Sequence, residues 1–203
     1  MKCKSVGWIA VWTAVMACMV VPAASPSAAP QATSTGKAAP SATQIPPAET
    51  AALVDVMVFF TVSDPLTMHL QAATRQIPSS RFEAGMLSDA LEELLKGPTE
   101  AERAQGLTSW FSGETADALK GVAVGMAGDV AVDFAGLSGR IPNASTSAGS
   151  LMLLSQLNAT VFQFPFVNQV EYTLDGSCQA FWEWLQYECH PVTRAEWEAE
   201  PTP

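Results

Sequence analysis

The chain has 203 residues, 48% of them hydrophobic and 15% charged, enough for one domain with a full core and little more. Twenty acidic residues oppose ten basic ones for a formal net charge of -10; a surface of that sign repels phosphate backbones and excludes nucleic acid as the expected partner. Four cysteines and two histidines are scant material for a metal cluster, so neither a metal nor a cofactor is expected.

Lys2 and Lys4 precede an uncharged run from Trp8 to Val21 that ends in Pro22-Ala23-Ala24. At about 14 residues the run is shorter than the roughly 20 a permanent membrane helix needs. Residues 1–23 therefore predict a secretory signal. Val15-Met16-Ala17-Cys18 resembles a bacterial lipobox, in which Cys18 becomes the lipid-modified first residue; ordinary cleavage after Val21-Pro22-Ala23 is the alternative. The anchored form is preferred because a tether follows. Residues 24–50 are almost entirely Ala, Pro, Ser and Thr, too poor in large apolar side chains to fold, and predict a disordered linker.

From Leu53 to Val62 the chain is β-branched and aromatic, a buried strand. Thr67 to Ile77 predicts a second, partly exposed strand. Phe82, Met86, Leu87, Ala90, Leu91, Leu94 and Leu95 then recur three or four apart, predicting a helix over 81–96 that Gly97-Pro98 stops. Thr99 and Glu102 have capping-box spacing and predict a short turn ending at Gly106. Leu119 to Met126 and Val130 to Phe134 alternate as a hairpin, with Asp129 and Asp133 sharing one face. A second long helix follows Ser145–Ser150, with Leu151, Leu154, Leu157 and Val161 buried. Val167 to Leu174 is the last strand, closed by Asp175-Gly176.

The order β-β-α-β-β-α-β predicts an α/β fold: a mixed sheet of about five strands packed by two main helices, plus a short C-terminal helix, within 51–190. Residues 191–203 are expected to be a flexible tail.

Leu94-Leu-Lys-Gly-Pro-Thr99 with Glu102, Gly106-Leu107 and Ser109 closely resembles the start of the GerMN domain of sporulation and spore germination proteins. Val130-Ala-Val-Asp-Phe134 is similar to that family's V-x-V-D-hydrophobic strand. Leu157-Asn-Ala-Thr160, Gln163-Phe164, Val167, Val170 and Asp175-Gly176 resemble its closing segment. The resemblance spans residues 53–176. Gly97, Pro98, Thr99, Glu102, Gly106, Asp133 and Gly176 read as architectural within it. It implies a non-catalytic binding or scaffold module outside the cell membrane, often in envelope lipoproteins, with an envelope protein or cell-wall component as partner and a possible link to sporulation or germination.

Cys178 and Cys189 predict a disulfide in an exported chain. Two free thiols are one alternative; a zinc site with His190 is another, although it lacks an evident fourth ligand. Between the cysteines, Phe181, Trp182 and Leu185 share a helical face, while Trp184 and Tyr187 lean elsewhere. These aromatics either cap the sheet or, with Trp110 and Phe111, present an exposed interaction surface for a partner or glycan. His69 and His190 lack a nucleophile motif. Asp129 with Asp133, or Glu183 with Glu188, are the carboxylates a secreted hydrolase would need; solvated positions explain them more simply. Gly121, Gly125 and Gly128 lack the setting of a phosphate loop. Asn143-Ala-Ser145 and Asn158-Ala-Thr160 match the N-glycosylation pattern, a match that the bacterial lipobox and family resemblance imply is accidental. A small-ligand-binding lipoprotein is the remaining alternative.

Overall fold

The computed structural model describes residues 52–63, 68–80 and 82–199. The expected signal with Cys18, the linker 24–50 and residues 200–203 lie outside the described residues.

Leu53–Ser63 (β1) and Met68–Pro78 (β2) pair antiparallel from Leu53 opposite Pro78 to Ser63 opposite Met68. Side-chain alternation places Val56, Val58 and Phe60 with Ala73 and Ile77 on one buried face. Glu83–Leu95 (α1) covers that face with Leu87, Ala90, Leu91, Leu94 and Leu95. Glu100–Ala104 (α2) is followed by Leu107–Thr108 (β3), which joins β1 at Thr61 and Val62.

Leu119–Val124 (β4) and Asp129–Phe134 (β5) form the predicted hairpin. Val130, Val132 and Phe134 point inward, while Asp129 and Asp133 share the opposite face. After a short helix, Leu137–Arg140 (α3), and a 3-10 turn at Pro142–Ser145, the long helix Ser147–Phe162 (α4) crosses over to Gln169–Leu174 (β6). Such a crossover is what the parallel pairing of β5 with β6 requires. Cys178–Trp184 (α5) packs on β6, Val192–Thr193 (β7) pairs with β6, and Arg194–Ala199 (α6) follows.

The α/β class and the order of the main elements hold, with the strands divided between two sheets, β2-β1-β3 and β4-β5-β6-β7, around one core. The division originates at the free edge of β1. There the Gln163 amide bonds both backbone groups of Met57, and Thr160 Oγ1 accepts the Phe59 N–H. Helix α4 thus occupies the edge that a strand of the other sheet would need.

Two expectations are corrected. Residues 192–199 are not a flexible tail: the Arg194 guanidinium donates to the carbonyls of Phe162, Phe164 and Val167 at 3.0, 2.7 and 2.9 Å. Trp197 adds a stacked contact on Phe162. The expected apolar face of α4 is also incomplete, since Leu151 is exposed and Leu153 takes its place in the core. Packing on two sides buries Gln156, Asn158 and Thr160 as well, and each has a hydrogen-bonding partner.

Candidate functional site

The family-motif residues are engaged in holding backbone. Gly97 ends α1 at φ +73°, and a Cβ there would lie 2.2 Å from the Phe111 carbonyl oxygen. Pro98 follows, its carbonyl accepting from Arg103. The predicted capping box is present: Thr99 Oγ1 accepts the Glu102 N–H, and the Glu102 carboxylate accepts the Thr99 N–H at 2.7 Å. The same carboxylate takes a bidentate pair from Arg75 at 2.6 and 2.7 Å. These Arg75 bonds, aided by Thr99, outweigh burial and hold the Glu102 pKa at about 2.

Asp133 has a comparable fixed role. Its Oδ1 accepts from the Thr173 hydroxyl at 2.7 Å and the Gly176 N–H at 2.8 Å, and Lys120 lies 3.1 Å from Oδ2. Burial alone would raise its pKa, but these donors hold it below the ordinary aspartate value. The strand motif and the closing Asp175-Gly176 turn therefore meet in one hydrogen-bonded cluster. A carboxylate so engaged is poorly placed as a general base.

The expected aromatic surface does not assemble. Phe111 is buried in the core, held there by the close passage of its carbonyl over Gly97. Trp110 and Trp184 are half-buried, with Trp184 edge-on to Phe181 at 6.0 Å. Of the four, Tyr187 alone is an exposed side chain. Phe181, Trp182 and Leu185 are buried together as predicted. The disulfide joins Cys178 to Cys189 with their Cα atoms 5.6 Å apart, closing the loop that carries Tyr187.

What the fold does build is a cleft of about 240 Å³ where α4, the stapled loop and α6 meet. Tyr187, His190 and Trp197 are its aromatic walls, and Trp182 backs His190 with ring centroids 4.4 Å apart. Leu154 and Val192 supply apolar lining. Ser155 and Asn158 of α4 form a polar floor, with Asn158 Oδ1 accepting from the buried Tyr172 hydroxyl at 2.9 Å. Desolvation raises the Tyr172 pKa, so this hydroxyl remains a donor. Burial of Asn158 also speaks against glycan attachment there.

At the rim stands Glu196, whose Oε2 accepts the Thr193 N–H and hydroxyl at 2.9 Å while Thr193 Oγ1 accepts the Glu196 N–H. The Thr193 N–H, helped by its hydroxyl and by His190, holds the Glu196 pKa below the ordinary glutamate value. This second capping box opens α6. Its spacing, Thr193-x-x-Glu196, is legible in the sequence by the rule applied at Thr99, and it would have revealed α6, Trp197 and Glu196.

Asp129, Glu183 and Glu188 are exposed and do not line the cleft, and neither does His69. Among the described residues no group of three His, Cys, Asp or Glu side chains could hold a metal ion, and no helix is long and apolar enough to cross a membrane.

The family model described as "Germane: Sporulation and spore germination" matches residues 57–179. A search of curated proteins finds no match. Among solved structures, the chain is similar to the tandem GerMN domains of the sporulation protein GerM from Bacillus subtilis, at 18% identity and a TM-score of 0.49. That similarity covers 72% of this chain and 47% of the other, so the chain spans about half the tandem structure's length. It is also similar to the first GerMN domain of the same protein, at 17% identity and a TM-score of 0.40, over 61% of this chain and 84% of the other.

Proposed function

The chain belongs to the Germane family of sporulation and spore germination domains, and from that premise we propose that it is a non-catalytic binding module of the bacterial cell envelope, exported and anchored through Cys18. The observation that carries the reading is the cleft between α4 and α6. Its walls are aromatic, its floor is polar, and Glu196 is its one carboxylate among the described residues.

Glycoside hydrolysis of the common kind needs two carboxylates flanking the bond, and the cleft supplies one. Ser155, His190 and Glu196 have the residue types of a nucleophile, base and orienting acid. Among the described residues, however, no hydrogen bond joins Ser155 to His190 or His190 to Glu196, and His190 Nδ1 lies 2.8 Å from the Glu188 carbonyl oxygen. The lining of the cleft supports recognition better than either of these hydrolytic arrangements. Export is supported by the Cys178–Cys189 disulfide, a bond that persists in oxidising compartments. The family description sets the process, sporulation or germination, in which the partner is to be sought.

Photo-crosslinking from position 187 in intact cells tests the module. Adducts with an envelope protein or wall component are expected; adducts confined to cytoplasmic proteins, or none, contradict the reading. Cys18→Ser with membrane fractionation tests the anchor, and unchanged membrane association counts against it.

A further inference from the structure

Two atoms on the cleft floor single themselves out. Ser155 and Asn158 are 3% and 7% exposed, and Ser155 Oγ and Asn158 Nδ2 make no hydrogen bond among the described residues. Other buried polar side chains of α4 are satisfied: Gln156 bonds Thr61 and Thr108, Thr160 bonds Phe59, and Ser150 bonds Ser147. Among the described residues, the fully buried side-chain atoms lacking a partner are the Nε1 atoms of Trp110, Trp182 and Trp184. Ser155 Oγ and Asn158 Nδ2 are not among them, so they open on the cleft. A polar group that opens on a cleft without a protein partner bonds water there, and a ligand that reproduces that bond can displace the water.

We propose that this cleft binds an uncharged, N-acetylated hexopyranose, an inference that rests on reading the cleft as a recognition site. Tyr187 and Trp197 line the cleft and supply aromatic surface that suits the apolar C–H side of a sugar ring. The floor donors suit an acetamido carbonyl, and Leu154 with Val192 suits its methyl group. Glu196 Oε1 takes no hydrogen bond among the described residues and can accept one from a ring hydroxyl. A volume of about 240 Å³ lies below the roughly 300–1,000 Å³ of drug-sized pockets and suits a single ring. The rim carboxylate and a net charge of -10 disfavour uronic acids and phosphorylated sugars. A primary amine could pair with Glu196 but would leave both floor donors unmet.

The test is titration of the full chain with the trisaccharide of N-acetylglucosamine, followed by tryptophan fluorescence and amide chemical shifts. Saturable binding is expected, with shifts centred on residues 155, 158 and 197. Ser155→Ala removes a hydroxyl with no protein partner and should weaken binding about fivefold with unchanged circular dichroism; Tyr187→Ala should weaken it about tenfold. A glucose trisaccharide, lacking the acetamido group, should bind at least about tenfold more weakly. Absence of saturable binding at millimolar trisaccharide, or preference for a lysine-rich peptide, overturns the proposal. Should the sugar fail while position 187 still crosslinks to an envelope component, the ligand class is wrong and the binding module stands; should both fail, both fall.

Discussion

Gln163 stands in for a missing strand beside Met57: its Nε2 donates to the Met57 carbonyl at 2.6 Å, and its Oε1 accepts the Met57 N–H at 3.0 Å. A side-chain amide here reproduces both halves of a ladder pairing across 106 residues of sequence. An open β edge is a template for association with another chain, so this contact both anchors α4 and blunts the edge. Gln163→Leu should lower stability by roughly 1–3 kcal/mol, since both bonds to Met57 and the Nε2 bond to the Thr160 carbonyl, each of about 1 kcal/mol, are lost. The urea midpoint measures that loss. Light scattering should show increased association, and an unchanged midpoint with no association would contradict the role given to Gln163.

Arg75 and Glu102 tie β2 to α2, with Glu93 of α1 also within 3.7 Å of Arg75. The folded pKa of Glu102, about 2, lies below the roughly 4.3 of an unfolded chain, so the unfolded state takes up this proton first. The pair's contribution is whole above about pH 5 and is lost as the pH falls toward 2. Glu102→Gln should reduce stability at pH 7 and flatten the decline between pH 5 and 2. Urea midpoints for both proteins across that range check it; parallel curves would remove Glu102 from the account.

Gly97 and Gly106 both have positive φ, at +73° and +91°, yet only Gly97 is crowded. A left-handed conformation costs an L-residue roughly 1–2 kcal/mol. Gly106→Ala, with open space around its added methyl group, should lose about that much. Gly97→Ala must also displace the Phe111 backbone and should lose clearly more, to the point of failing to fold. Equal midpoints for the two variants would show that the Phe111 contact is not a constraint.

The disulfide closes a loop of about 12 residues, which on the chain-entropy model is worth roughly 3 kcal/mol. Cys178→Ser with Cys189→Ser should therefore lower the thermal midpoint and free the loop bearing Tyr187. Limited proteolysis should then cut between residues 185 and 191 first. Intact mass should rise by about two daltons when the wild-type chain is reduced without unfolding, consistent with the one pairing described.

Local signals carried the sequence reading furthest. The Thr99–Glu102 box, the stop at Gly97 and the alternation of Val130, Val132 and Phe134 each involve a few neighbouring residues, and all appear in the fold. Burial of Phe111 was not legible because it depends on where the loop crosses Gly97. The two-sheet division was hidden for a similar reason: Gln163 reads as an ordinary helix-end residue until β1 lies beside it. Helix α6 differs, since its capping box at Thr193 and Glu196 lies open in the sequence, within residues 191–203 that were expected to be a flexible tail. The cleft needed several distant segments at once, as its floor comes from α4, its walls from Tyr187 of the stapled loop, His190 and Trp197 of α6, and its rim from Glu196 of α6.

The most direct measurement of the central claim is hydrogen exchange of the full chain with and without purified cell envelope. Recognition through the cleft predicts protection centred on residues 151–158 and 182–197, lost in Tyr187→Ala. Protection confined to the β4 edge, or no change on adding envelope, would contradict it.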